Sequence, residues 1–296
     1  MGINYERAKM ILGSNKKNAF NEIISLGHQK VNITFSELKS LNNEFNLDID
    51  LKKIKKIKFR EYATDFFSIF LNSRKYDIID YSDYEGANII QDLNFPISKD
   101  MYEKYDAVID GGTLEHIFNF PVAIDNCMKL VKKGGSIFIF SMANNHCGHG
   151  FYQFSPELFF RIFDTCNGFE IQKVILTEQK YPGAELSPKR TCYEVIDPKE
   201  FSKRINIVNS KPLGIMVHAV KVETISIFTH IPQQSDYTKA WKKTKAELPI
   251  DGKYNLKSFL IKIINLLPFK IRNSVYGFHE LRNSRLRNKK PFKKWN

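Results

Sequence analysis

The stretch YDAVIDGGTLEHIFNFPVAIDNCMKLVKKGGSIFIFSMAN, residues 105–144, decides the fold. A short apolar run ends on an acid and two glycines, Asp110-Gly111-Gly112, where a strand would stop. FPVAIDNCMKLV then carries apolar residues at helical spacing, and GGSIFIFSMAN resumes an apolar strand after a Gly-Gly turn. A strand, a helix and a second strand in this order make a βαβ unit. Glu115 and His116 are expected to begin the intervening helix and to point back over the strand end.

Outward from this unit the alternation continues between about residues 20 and 230, which argues for a parallel sheet covered by helices. NEIISLGHQKVNI is a strand interrupted at Gly27, and KYDIIDYS is a strand ending at Asp80. GANIIQDLNFPI is a short strand running into Asp92, while GFEIQKVILTE and GIMVHAVKVETISIF supply the last two. Helices are expected over SELKSLNNEF with Ser36 as N-cap, over EYATDFFSIFL, and over SPELFFRIFDTC with Ser155 as cap and Pro156 in the first turn. The fold class read from this pattern is α/β: a doubly wound, mostly parallel seven-stranded sheet over residues 1–245, followed by a basic helical C-terminal appendage over 246–296.

Composition narrows the setting. The chain has 296 residues, room for one large domain or a domain with an appendage. Its four cysteines show no CxxC pairing, and no run of eighteen apolar residues occurs, so a cytoplasmic protein without a spanning helix is expected. The net charge of +13 looks at first like a signal for nucleic acid. Residues 251–296, however, hold twelve lysines and arginines against Asp251 and Glu280, which accounts for +10 of it. The body is therefore nearly neutral, and the charge argues against a nucleic-acid protein. The tail mixes Phe, Ile and Leu with Lys and Arg at helical spacing. It reads either as a peripheral membrane contact or as an appendage packed on the domain.

Ligands of open parallel sheets bind beyond the carboxyl ends of the strands. The residues at those ends are Gly27-His28-Gln29, Asp80, Asp92, Asp110-Gly111-Gly112 and Ser141 to Asn145. Each alone is ordinary turn chemistry. Together they set polar groups and glycines along one rim.

The 105–144 segment resembles the class I S-adenosylmethionine-dependent methyltransferases, in which a polar residue, Leu-Glu-His and a later KxGG mark the fourth strand and the turn into the fifth. NNHCGHGFYQFSPELFFRIF and PQQSDY resemble a bacterial, surface-polysaccharide-associated group of that family. The resemblance covers roughly residues 20–240 and implies S-adenosyl-L-methionine as cofactor. It implies that Asp80, beside Tyr81, accepts the ribose hydroxyls, that Asp92 meets the adenine amine, and that Leu93 lies against the ring. Gly27, with His28 and Gln29, and Asp110, Gly111 and Gly112 would face the methionine end, the glycines letting backbone come close. One departure is plain: the first loop reads SLGHQ in place of GxGxG. Gly27 and Asp80 are 53 residues apart, against about 20 in a compact unit. An extra segment, such as LDIDLKKIKKIKF, must be inserted there.

Methyl transfer needs an aligned nucleophile and, for a hydroxyl or amine, a base near neutrality, which favours histidine. His116 and His149 are the candidate bases, and Asn145, His146, Tyr152 and Gln153 the candidate acceptor contacts. His116 could equally be a packing residue. HCGH (146–149) has the donors of a metal site, yet no second cluster completes it in the sequence, so no metal is expected. The implied function is methyl transfer to a small-molecule or glycan acceptor, a hydroxyl in surface-polysaccharide synthesis. A non-catalytic methyltransferase-like binding module is the rival. A nicotinamide oxidoreductase would show GxGxxG, and a nucleic-acid methyltransferase rests on the tail alone.

Overall fold

The computed structural model describes residues 2–15, 20–180, 190–201, 206–244, 263–286 and 291–295. The chain opens with β1 (Gly2–Asn4) and α1 (Tyr5–Asn15), and EIISL forms β2 (Glu22–Leu26). After the Gly27 turn, β3 (Lys30–Asn32) leaves the main sheet and pairs in parallel with β1. Three helices follow: α2 (Phe35–Glu44), α3 (Leu51–Ile54) and α4 (Thr64–Phe70). They and β3 are the extra length between Gly27 and Asp80 that the sequence demanded. The cap of α2 is Thr34 rather than Ser36: its side chain accepts from Glu37 N–H while the Glu37 carboxylate takes the Thr34 N–H at 2.7 Å.

Next come β4 (Lys75–Asp80), β5 (Ile89–Ile90), β6 (Tyr105–Asp110), α5 (Phe120–Leu130) and β7 (Val131–Asn144). The later elements are α6 (Pro156–Ile162), capped by Ser155 as expected, β8 (Phe169–Glu178), β9 (Thr191–Val195), α7 (Pro198–Phe201), β10 (Leu213–Lys221), α8 (Ser235–Thr244), α9 (Phe269–Asn283) and β11 (Phe292–Trp295).

Nine strands share one sheet in the order β11-β9-β8-β10-β7-β6-β2-β4-β5. From β5 to β7 the neighbours are parallel, and from β7 through β10, β8 and β9 to β11 they are antiparallel. The expectation of seven mostly parallel strands is corrected to nine in a mixed sheet. The seven expected strands are present and contiguous, and the added two, β9 and β11, lie at one edge. The helical appendage is corrected too. The tail contains α9 but ends as β11, whose Phe292 is buried in the main core with Leu286. The 245/246 boundary itself lies outside the described residues.

Alternate residues of the central strands feed two cores. On β7, Ile137 and Ile139 pack on the α5 and α6 side, while Phe138 and Phe140 pack against α1, α2 and α4. A sheet covered on both faces must be apolar on both, which is why its strands read as near-continuous hydrophobic runs. Among the described residues no helix is long and apolar enough to cross a membrane.

The second core also holds a buried histidine. His218 of β10 stacks on Phe138 at 4.6 Å, with Ser14 Oγ and Ser136 Oγ each 3.1 Å from its ring nitrogens. Burial, with Lys173 nearby, lowers its pKa to about 4 from 6.5. The folded state thus keeps the ring neutral after the unfolded chain has taken up a proton. The stabilisation is whole above pH 6.5 and is lost as pH falls towards 4, by about 3 kcal/mol. The stability difference between the parent and His218→Asn should shrink over that interval in denaturant titrations. A pH-independent difference would contradict it.

Candidate functional site at the carboxyl rim of the sheet

β4 and β5 run outward on one side of β2, and β6 and β7 on the other, so the order reverses between β2 and β6. This switch point is where an open sheet leaves a crevice. Gly27 turns the chain there with φ +68°, and its N–H donates to Ile79 O of β4 at 2.9 Å. A Cβ on Gly27 would stand 3.3 Å from Thr113 Oγ1 and 3.6 Å from Asp80 Oδ2. The ends of β2, β4 and the turn after β6 therefore meet within a side chain's reach. The Thr113 hydroxyl donates to Leu26 O at 2.9 Å and locks that turn to β2. Nothing in the sequence marked Thr113, because its partner is set by strand register.

Other expected cofactor residues sit differently. Asp80 is half-buried, with Oδ1 accepting from Tyr81 N–H at 2.6 Å, and the Tyr81 ring is exposed. Gln29 is buried: Nε2 donates to Leu26 O at 2.7 Å and Oε1 has no hydrogen-bond partner. A Cβ on Gly111 would fall 1.7 Å from that oxygen, so Gln29 fills the space in front of Gly111. His28 turns away, stacking on Tyr62 at 3.6 Å while its Nδ1 lies 2.6 Å from Glu85 O. It pins the loop after β4. Asp92 caps its own turn, Oδ1 accepting from Asn94 N–H at 2.9 Å. Leu93 is buried in the core. Asp110 is buried, with Oδ1 accepting the N–H groups of Thr113 and Gly112 at 2.8 and 3.2 Å and Oδ2 without a partner. Burial, with Glu115 nearby, pushes its carboxyl pKa up to about 7. Gly112, at φ +111°, lies beside it in the same turn.

Leu114–His116 form a single 3-10 turn, not the start of α5, and this separates the two side chains. Glu115 is 0% exposed and faces inward, where Ser141 Oγ donates to its Oε2 at 2.8 Å, and His116 is exposed. The loop after β7 folds over them. Phe151 N–H donates to Glu115 O at 2.8 Å, and a Cβ on Gly150 would be 2.8 Å from the same oxygen. The His149 ring is thereby set 5.3 Å from the His116 ring and 6.1 Å from that of His146. Burial, then the neighbouring His149, lowers the pKa of His146.

The other expected acceptor contacts brace this loop. Asn145, at φ +60°, donates to Asn209 O and Lys211 O. The Gln153 side chain accepts from His146 N–H at 2.8 Å, and Tyr152 Oη donates to Phe118 O at 2.7 Å. Beside His116 the structure adds an exposed aromatic pair that the sequence reading did not single out, Phe118 and Phe151, in edge contact at 5.8 Å.

No family model matches the chain. An uncharacterized protein of Acanthamoeba polyphaga mimivirus is 24% identical over 283 residues, 86% of this chain and 89% of that protein. Among solved structures the chain is similar to the trans-methyltransferase CalH in complex with SAH (12% identity over 73% of this chain, TM-score 0.39), spanning only 55% of that protein's length. It is similar to a SAM-dependent methyltransferase of Thermotoga maritima (15% identity, 73% of this chain and 91% of that one, TM-score 0.36). It is also similar to the 1,6-didemethyltoxoflavin-N1-methyltransferase of Burkholderia thailandensis (10% identity, 74% and 78%, TM-score 0.38). At this distance the residues of the rim carry the functional argument.

Proposed function

We propose that the chain is an S-adenosylmethionine-dependent methyltransferase acting on a small-molecule or sugar hydroxyl. The observation that carries this is the meeting of Gly27, Asp80 and Thr113 at the switch point. An acid beside a glycine turn suits a ribose diol, as it does in dinucleotide folds. The unpartnered acceptors Gln29 Oε1 and Asp110 Oδ2 suit an ammonium between β2 and β6. S-adenosylmethionine supplies an activated methyl group. The chain's own residues align the acceptor oxygen with it, exclude water, and take up the hydroxyl proton, the last at His116 or His149.

A cleft of about 1100 Å³ continues along the rim beyond Asn145, with Thr191, Asn209, Lys211 and Arg285 in its walls. A polar, basic cleft of that size supports a glycan acceptor, and the surface-polysaccharide assignment rests on the sequence resemblance. On exposed α9, Phe269, Ile271 and Phe278 beside Lys270 and Arg272 support peripheral membrane contact by a cytoplasmic protein. The rival reading, a binding module without catalysis, draws on Gln29 filling the place before Gly111.

Calorimetric titration with S-adenosylhomocysteine tests the reading. Asp80→Ala should bind about 30-fold more weakly, a loss of about 2 kcal/mol for a charge-assisted hydrogen bond. Unchanged affinity removes Asp80 from the site, and absence of binding by the parent rejects the cofactor altogether. Methylation of nucleic acid with sugars inert would overturn the acceptor class.

A further inference from the structure

Glu115 is the least conventional residue of the rim. Its carboxylate is fully buried, one oxygen is held by Ser141, and the other, Oε1, has no hydrogen-bond partner. Oε1 lies 3.9 Å from His149 Nε2, too far for a hydrogen bond. A buried acceptor left this way is costly unless a cation satisfies it. A second group nearby has the same property: His146 is 7% exposed and its Nε2 has no partner.

Chain segments far apart in sequence bring the donors together. One donor atom each from Glu115, His116 and His149 lies within 4.8 Å of the others. The scaffold is fixed without a ligand, because Phe151 and Tyr152 N–H both donate to Glu115 O and Gly150 permits the close approach. Two imidazoles and a carboxylate are the donor set of zinc and its first-row neighbours. Bonds of about 2.1 Å to a tetrahedral ion put donors roughly 3.4 Å apart, so the exposed His116 ring need only swing inward. The Ser141 hydroxyl on Oε2 is the outer partner that orients the carboxylate.

We propose that Glu115, His116 and His149 hold a divalent transition-metal ion, with the buried His146, its ring 6.1 Å from that of His149, turning in as the fourth donor. The binding stands on donor geometry alone. Only its role, holding the acceptor oxygen at the ion so that its proton passes to solvent near neutral pH in place of transfer to His116 or His149, rests on the methyltransferase reading.

The test uses the full-length protein, stripped of metal and titrated with cobalt(II) while the visible absorption and the heat are followed. One ion per chain, with bands of a four-coordinate site, is expected. His116→Ala and His149→Ala should each weaken cobalt binding by about 100-fold or more, since even outer partners of metal ligands account for 10- to 100-fold. Glu115→Gln should do the same, and circular dichroism checks that it folds. Cys147, exposed on the same loop, is the control, and Cys147→Ser should bind as the parent does. Failure of the parent to bind one cobalt overturns the proposal, as does binding that survives in His116→Ala/His149→Ala or depends on Cys147. Titration of the parent with S-adenosylhomocysteine is read separately, so loss of one reading leaves the other standing.

Discussion

The His116→Asn protein is expected to bind S-adenosylhomocysteine as the parent does and to transfer methyl groups about 10² to 10⁴ times more slowly. His116 is exposed and faces Gly150 and His149 of the loop after β7, so the proposed cofactor residues Gly27 and Asp80 are not altered. His149, with its ring 5.3 Å away, is the competing base, and His149→Asn measured under saturating cofactor ranks the two. Turnover within a factor of two of the parent in both variants would leave alignment as the whole of catalysis. A base and a metal ligand both predict the fall in rate. They part on cobalt binding, which His116→Asn keeps if the ring is a free base and loses if it is a ligand.

The second large effect is structural. Phe138 is fully buried at the middle of β7, with Phe20 edge-on at 5.9 Å and His218 stacked at 4.6 Å. Both neighbours are held by the sheet and α1 and cannot close the space. Phe138→Ala should destabilise the fold by about 3–5 kcal/mol, read as a lower urea midpoint at unchanged slope. Phe151→Ala, at an exposed ring, should stay within about 0.5 kcal/mol of the parent. A loss below about 1 kcal/mol for Phe138→Ala would mean that the second core is loosely packed.

These two residues also mark what the sequence could and could not disclose. Phe138 stands in an apolar run whose meaning is unambiguous, since a strand buried on both faces has no polar alternation to misread. The five parallel strands, β8 and β10 were legible for the same reason. β1, β9 and β11 were not. They have three to five residues each, and their pairing comes from distant chain. The rim positions of Gly27, Asp80 and Asp110 were legible, because glycine and acid punctuate strand ends. It was illegible where tertiary contacts assign the work. Gln29 and His28 are adjacent, yet one plugs the crevice and the other leaves it. Leu-Glu-His looks like a helix start because acids favour that position, and the 3-10 turn that buries Glu115 is imposed by Ser141 and the 149–152 loop. Thr34 and Ser36 are hydroxyls two apart, and only Glu37 reaching back decides between them.

The last described strand also bears on how the molecule is made. β11 pairs with β9 across about a hundred residues of chain, from Val195 to Phe292. During synthesis the outer ladder of β9 has no mate until that stretch has left the ribosome, many seconds later at ordinary elongation rates. Through that interval its unpaired N–H and C=O groups are a template for any passing strand. Exchange of β11 between two nascent molecules satisfies β9 as fully as closure within one. Crowded polysomes are therefore the setting in which this fold would yield swapped dimers.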